Sequence, residues 1–121
     1  MGSQQLILLD THVLVWLVEG VDRKGQKTRQ LTDRALQNEQ ILVAGVSFWE
    51  IAMLARKNKV AAIRSCNTWR QAVLAMGLQE IPLDGAIGIT SAELPDFHAG
   101  LADRMIVATA LHHGATLLTA D

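Results

Sequence analysis

The stretch LILLDTHVLVWL, residues 6–17, decides how the chain is read. It is apolar enough to demand burial, yet a carboxylate, Asp10, sits at its centre. A charged side chain taken out of water costs several kcal/mol unless it is paired, protonated or coordinated. A buried strand over 6–9 followed by a helix over about 11–18 puts Asp10 at a strand-to-helix junction. There the local reading is a helix cap with Thr11, and the chemical reading is a cation ligand.

Outward from this stretch, short apolar runs alternate with longer amphipathic ones, the pattern of α/β units. Gly20 and Gly25 interrupt the chain before a helix over 28–37, and QILVAG (40–45) is the second strand. Ser47 is the expected N-cap of a helix FWEIAMLARKNK, whose basic end suits the negative pole of its dipole. A helix over 65–76 stops at Gly77, and LQEIPL (78–83) is a short strand. Asp84 caps GAIGITSAEL, and the loop PDFHAG leads into the helix LADRMIVATALHH (101–113), closed by Gly114. ATLLTA (115–120) reads as a strand of the fully buried, parallel type. Strands separated by helices imply right-handed crossovers and a three-layer α/β/α fold with a mostly parallel central sheet.

With 121 residues the chain suits one domain, 1–121, with a single core. Half of it is hydrophobic and 19% charged, and the formal charge of −1 gives no global basic field for nucleic acid or anionic membrane. Cys66 stands alone, so no internal disulfide forms and a cytoplasmic location is the simplest expectation. The amino end lacks a basic segment and meets Asp10 too early for a signal peptide or membrane span.

On this map Asp10 follows the first strand, Glu50 lies one turn into the helix after the second, Asp103 opens the helix before the last strand, and Asp121 follows that strand. Carboxyl ends of parallel strands share one edge of the sheet, where ligand sites gather. Carboxylates brought together there repel one another unless a cation neutralises them. An all-oxygen donor set selects Mg²⁺ or Mn²⁺ over zinc, and such an ion supports in-line displacement at a phosphodiester.

The ordered set LLDTHVLVWL, VSFWEIAML, LADRMIVATA and LLTAD resembles the PIN domain, and most closely the VapC-type toxin ribonucleases of bacterial toxin–antitoxin pairs. The resemblance spans nearly the whole chain. It implies a Mg²⁺- or Mn²⁺-dependent endoribonuclease acting on RNA, inhibited by a cognate antitoxin and dimeric, with Asp10, Glu50, Asp103 and Asp121 as its acidic cluster. Thr11 matches the hydroxyl residue after the first acid, and Arg104 the basic residue after the third. Where relatives often read His-x-Asp-Pro-x-Asp-Arg, this chain reads HAGLADR, so Gly100 and Leu101 replace an Asp-Pro pair and one carboxylate is missing. The chain also stops at Asp121, where the family pattern continues through a further strand or helix, which reads as a shortened carboxyl end.

Each acid also has a structural reading. Ser47 to Glu50 spells a capping box, Asp10 is placed to cap its helix, and Asp103 complements a helix dipole. Arg104 is either an ion-pair partner of Asp103 or a group that contacts phosphate or orients the acids. Ser47 and Thr119 stand close enough in the pattern to hydrogen-bond the cluster, although capping and strand propensity explain them as well. The histidines do not suggest a metal site, since His112 and His113 are adjacent and point about 100° apart on a helix. Trp16, Trp49 and Trp69 read as packing residues before base-stacking platforms. Two rival functions remain at this point. One is a degenerate, non-catalytic PIN-like binding module. The other is a Mg²⁺ phosphatase or receiver domain using Asp10, which the sequence disfavours for want of a second nearby Asp and a distal Lys.

Overall fold

Ile7–Leu9 forms strand β1, and all three side chains are buried, as an apolar run in the middle of a sheet requires. The structure is a computed structural model, described here for residues 5–19, 26–38, 40–57, 65–95 and 100–119. From β1 the chain enters α1 (Thr11–Glu19), then α2 (Gln26–Gln37), β2 (Ile41–Ala44), α3 (Gly45–Arg56), α4 (Cys66–Ala75), β3 (Gln79–Ile81), α5 (Gly85–Glu93), α6 (Leu101–His113) and β4 (Thr116–Leu118). The sheet order is β3-β2-β1-β4 and every pairing is parallel, with Leu9 opposite Val43 on one side and Leu118 on the other.

The period-two alternation of the strands divides the core between two faces. Ile7, Leu9, Ile41 and Val43 point to one side, where they pack with Val13 and Leu14 of α1, Ile51 of α3 and Val73 of α4. Leu8, Leu42 and Ala44 point to the other, against Ala102, Ile106 and Ala110 of α6. Helices thus cover both faces, giving the expected α/β/α sandwich with α5 packed on α6.

Local chemistry sets most of the helix ends. The Asp84 carboxylate accepts from the Ile87 N–H at 2.9 Å and caps α5. Gly77 and Gly114, at φ +106° and +59°, end α4 and α6 in conformations that side chains disfavour. Ser65 caps α4 by accepting from the Thr68 N–H. Behind the sheet edge Arg70 of α4 pairs with Glu80 of β3 and lies 5.7 Å over the Phe48 ring. Its pKa is raised, first by the hydrogen bond to Glu80 and then by that carboxylate's charge.

Two expectations are corrected. Helix α3 starts directly from the end of β2, with Ala44 as its N-cap, so Ser47 lies inside the helix and does not cap it. The capping box with Glu50 therefore does not form. Strand β4 is parallel but sits, among the described residues, at the sheet's edge with β1 as its one partner; Thr116 is exposed and Leu117 and Leu118 are half-buried. A strand paired on one side cannot be covered as β1 is.

Candidate active site

At the carboxyl edge of the sheet, Asp10 is the first residue beyond β1. Its backbone N–H donates to the Leu118 carbonyl at 3.0 Å, and so fastens the end of β1 to the end of β4. One carboxylate oxygen, Oδ1, accepts from the Val13 N–H at 3.0 Å, while the Asp10 carbonyl accepts from Leu14. The half-buried acid thus caps α1 and is compensated by the positive end of that helix. A carboxylate offers about four lone-pair sites, so capping a helix and ligating a cation are compatible roles.

The next residue, Thr11, is 2% exposed and donates its hydroxyl to Ser47 Oγ at 3.1 Å; Ser47 itself is fully buried. This bond joins the first turns of α1 and α3 beneath the edge. Glu50 follows Ser47 by three residues, nearly a full helical turn, and so rises on the same side of α3. Half-buried, Glu50 is one of the residues that line a cleft of about 280 Å³. One wall is α3 with its C-cap: Trp49, Glu50, Met53, Leu54 and Lys57. The other is Gly100 and the first turn of α6: Leu101, Ala102 and Asp103.

Two of the four expected acids, Glu50 and Asp103, therefore line one cleft, whereas Asp10 is not among its lining residues. Among the described residues no three His, Cys, Asp or Glu side chains converge closely enough to hold a metal ion. Asp121 lies outside the described residues, as do Asp96 and His98. Thr119, just past β4, is exposed. The donors that are present are all oxygens of carboxylates, which suits a hard divalent cation by type.

Arg104 has partners that sequence adjacency to Asp103 does not suggest. Its Nε donates to the Ser91 carbonyl at 3.0 Å, and its Nη2 to those of Ala92 (3.3 Å) and Leu94 (3.2 Å). The guanidinium thereby gathers carbonyls at the end of α5 and binds that helix to the start of α6. His12 is exposed, and His112 meets the Thr90 hydroxyl at 2.7 Å.

Trp49, read from the sequence as a packing residue, is 50% exposed and lines the cleft beside Glu50. Its position on the helix is the signal that was available: buried Ile51 and Ser47 both lie two residues away, about 200° around the axis, so Trp49 must turn outward. Trp69, by contrast, packs edge-on against Phe48 with ring centroids 6.2 Å apart.

Comparison with known proteins agrees with this architecture. The chain matches the PIN domain over residues 7–121. It is 31% identical over 116 residues to ribonuclease VapC22 of Mycobacterium tuberculosis, an alignment covering 95% of this chain and 86% of the relative. Among solved structures, a toxin–antitoxin complex from Klebsiella pneumoniae superposes with a TM-score of 0.60 at 23% identity, covering 92% of this chain and 82% of the other. VapBC2 from Rickettsia felis, bound to a DNA fragment from its promoter, gives 0.61 at 17% identity, with coverages of 93% and 86%. With the parallel sheet, the edge occupied by Asp10 and the cleft shared by Glu50 and Asp103, these matches show that the chain belongs to the PIN domain family.

Proposed function

We propose that the protein is a divalent-metal-dependent endoribonuclease and the toxin component of a toxin–antitoxin pair. The observation that carries the proposal is the pair Glu50 and Asp103 on facing walls of one cleft, in a PIN domain chain 31% identical to a ribonuclease. Asp10, Glu50, Asp103 and Asp121 would hold Mg²⁺ or Mn²⁺. When bound, the cation supplies Lewis-acid polarisation of the phosphate and acidifies an attacking water.

The chain's own residues bind and orient. Glu50 and Asp103 line one cleft, and a cation held there would neutralise both carboxylates. The Thr11–Ser47 bond fixes Asp10 and Glu50 relative to each other, and Arg104 holds the turn that carries Asp103. Thr119 would hydrogen-bond the cluster from the β4 side. Two structural neighbours were solved as toxin–antitoxin assemblies, and a cognate antitoxin protein is the proposed partner. A homodimer is proposed on the family resemblance alone.

The test is hydrolysis of single-stranded RNA by the wild type with Mn²⁺, beside Asp10→Asn, Glu50→Gln and Asp103→Asn. Fragments that need the metal and disappear in all three variants support the reading. A wild type that leaves RNA intact over a range of sequences and metals would overturn it.

A further inference from the structure

We infer that the α3 wall of this cleft is a nucleotide subsite beside the acidic pair, where Trp49 stacks one base of single-stranded RNA and Lys57 holds a neighbouring phosphate. The inference rests on the ribonuclease reading and names how that site engages its substrate.

The first observation is the placement of the indole. Half of Trp49 faces solvent, although nearby Ile51 and Ser47 are buried, and it faces a concavity that Glu50 and Asp103 also line. A large apolar π surface left open inside a cleft is what base stacking uses, and stacking accepts any base because each has a π face.

The second is the order of groups along the helix. Trp49, Met53 and Lys57 are spaced four residues apart and form one row along α3, with Glu50 and Leu54 in the row beside it. Lys57 is seven residues beyond Glu50, about 10 Å along the axis. Its ammonium, on a stem that leans back toward the amino end of the helix, is set to meet a phosphate of a strand that leaves the acids along α3.

The third is the arrangement of charge: acid and indole together at the amino end of the α3 wall, apolar Met53 and Leu54 along it, and a cation at its far end. A polynucleotide complements that order once a metal occupies the acidic end, with one phosphate at the cation, a base over the indole and a second phosphate at Lys57. An apolar peptide would complement only the middle of it. The site needs no global basic field, which agrees with a formal charge of −1.

The experiment is fluorescence anisotropy of a short fluorescein-labelled single-stranded RNA with the full chain. Ca²⁺ replaces Mn²⁺, gels check that the RNA stays intact, and cleavage with Mn²⁺ is measured in parallel. Trp49→Leu keeps apolar bulk but removes the extended π face, and should weaken binding about tenfold, whereas Trp49→Phe stays within about threefold of wild type. Lys57→Ala should weaken binding and reduce the slope of log affinity against log salt by about one, with Lys57→Arg near wild type. If Trp49→Leu and Lys57→Ala both bind as wild type while the wild type still cuts RNA, the subsite is wrong and the ribonuclease reading survives. A wild type that neither binds nor cuts overturns both. Unchanged RNA binding with a shift of Trp49→Leu from dimer to monomer in sedimentation would assign the indole to a second copy of the chain and also overturn the subsite.

Discussion

Thr11 and Ser47 are joined by a buried hydrogen bond of 3.1 Å, although 36 residues separate them in the chain. Each stands in the first turn of a helix that leaves the carboxyl end of one of two adjacent strands, β1 and β2. The bond is a cross-brace between the two turns that position Asp10 and Glu50, because Thr11 follows the first acid directly and Ser47 precedes the second by nearly one turn.

Removing one partner of this brace leaves the other buried without it. Ser47→Ala and Thr11→Val should each cost about 1–3 kcal/mol of stability, the penalty for a buried polar group deprived of its bond. The double variant should cost less than the sum, with a coupling energy of about 0.5–3 kcal/mol as expected for residues in contact. Urea unfolding of the four proteins in the cycle measures it. Additive costs would show that the hydroxyls find other partners.

Asp10 combines a cap with a proposed metal-ligand role, and two substitutions separate them. Asparagine caps a helix about as well as aspartate, so Asp10→Asn should unfold within about 0.5 kcal/mol of wild type, while Asp10→Ala loses about 1 kcal/mol. Both should abolish Mn²⁺ binding in calorimetry and RNA cleavage. Retained Mn²⁺ binding in Asp10→Asn would reduce Asp10 to its cap.

Much of the fold was legible because its punctuation is chemical. Gly114 and the Gly100–Leu101 junction bracket α6 over the expected span, and Asp84 caps α5 as its spacing predicts. Where punctuation is missing, the reading slips. In ILVAGVSF neither Ala44 nor Gly45 has a side chain that can cap a helix, so the pattern points to Ser47, the first good cap, for a role that falls to Ala44. Periodicity is equally silent about position in a sheet, and β4, apolar like β1, proved to be an edge. The site was legible as a list of acids and less so as a place. Asp103 and Glu50 share a cleft because α3 and α6 meet, a tertiary contact that neither periodicity nor spacing announces.

The glycines that end α4 and α6 should not tolerate alanine equally. Among the described residues no atom beyond its own helix backbone and chain neighbours lies within 4 Å of a Cβ added at Gly114, so the cost there is conformational, about 1–2 kcal/mol for a left-handed residue at φ +59°. Asparagine, which accepts this region, should cost less. Gly77, at φ +106°, lies beyond the left-handed helical well, and Gly77→Ala should lower the melting temperature more than Gly114→Ala does. Equal shifts in melting temperature would indicate that α4 re-forms its end with a different turn.

Arg104 gives the most specific mechanical prediction. Its guanidinium collects three carbonyls from Ser91, Ala92 and Leu94, the last of which is the C-cap of α5. A cation at a helix carboxyl end is favoured by the helix dipole as well as by these bonds. Arg104→Ala should therefore cost about 1–3 kcal/mol and accelerate amide hydrogen exchange at the junction of α5 and α6 before the rest of the sheet responds. Arg104→Lys retains the charge but not the planar fork, and a single ammonium cannot span the three oxygens, so it should recover less than half of the loss. Because the next residue toward the amino end is Asp103, loosening this clasp should also weaken Mn²⁺ binding in both variants, more in alanine than in lysine. Mn²⁺ affinity equal to wild type in Arg104→Ala, alongside the expected loss of stability, would confine Arg104 to packing two helices.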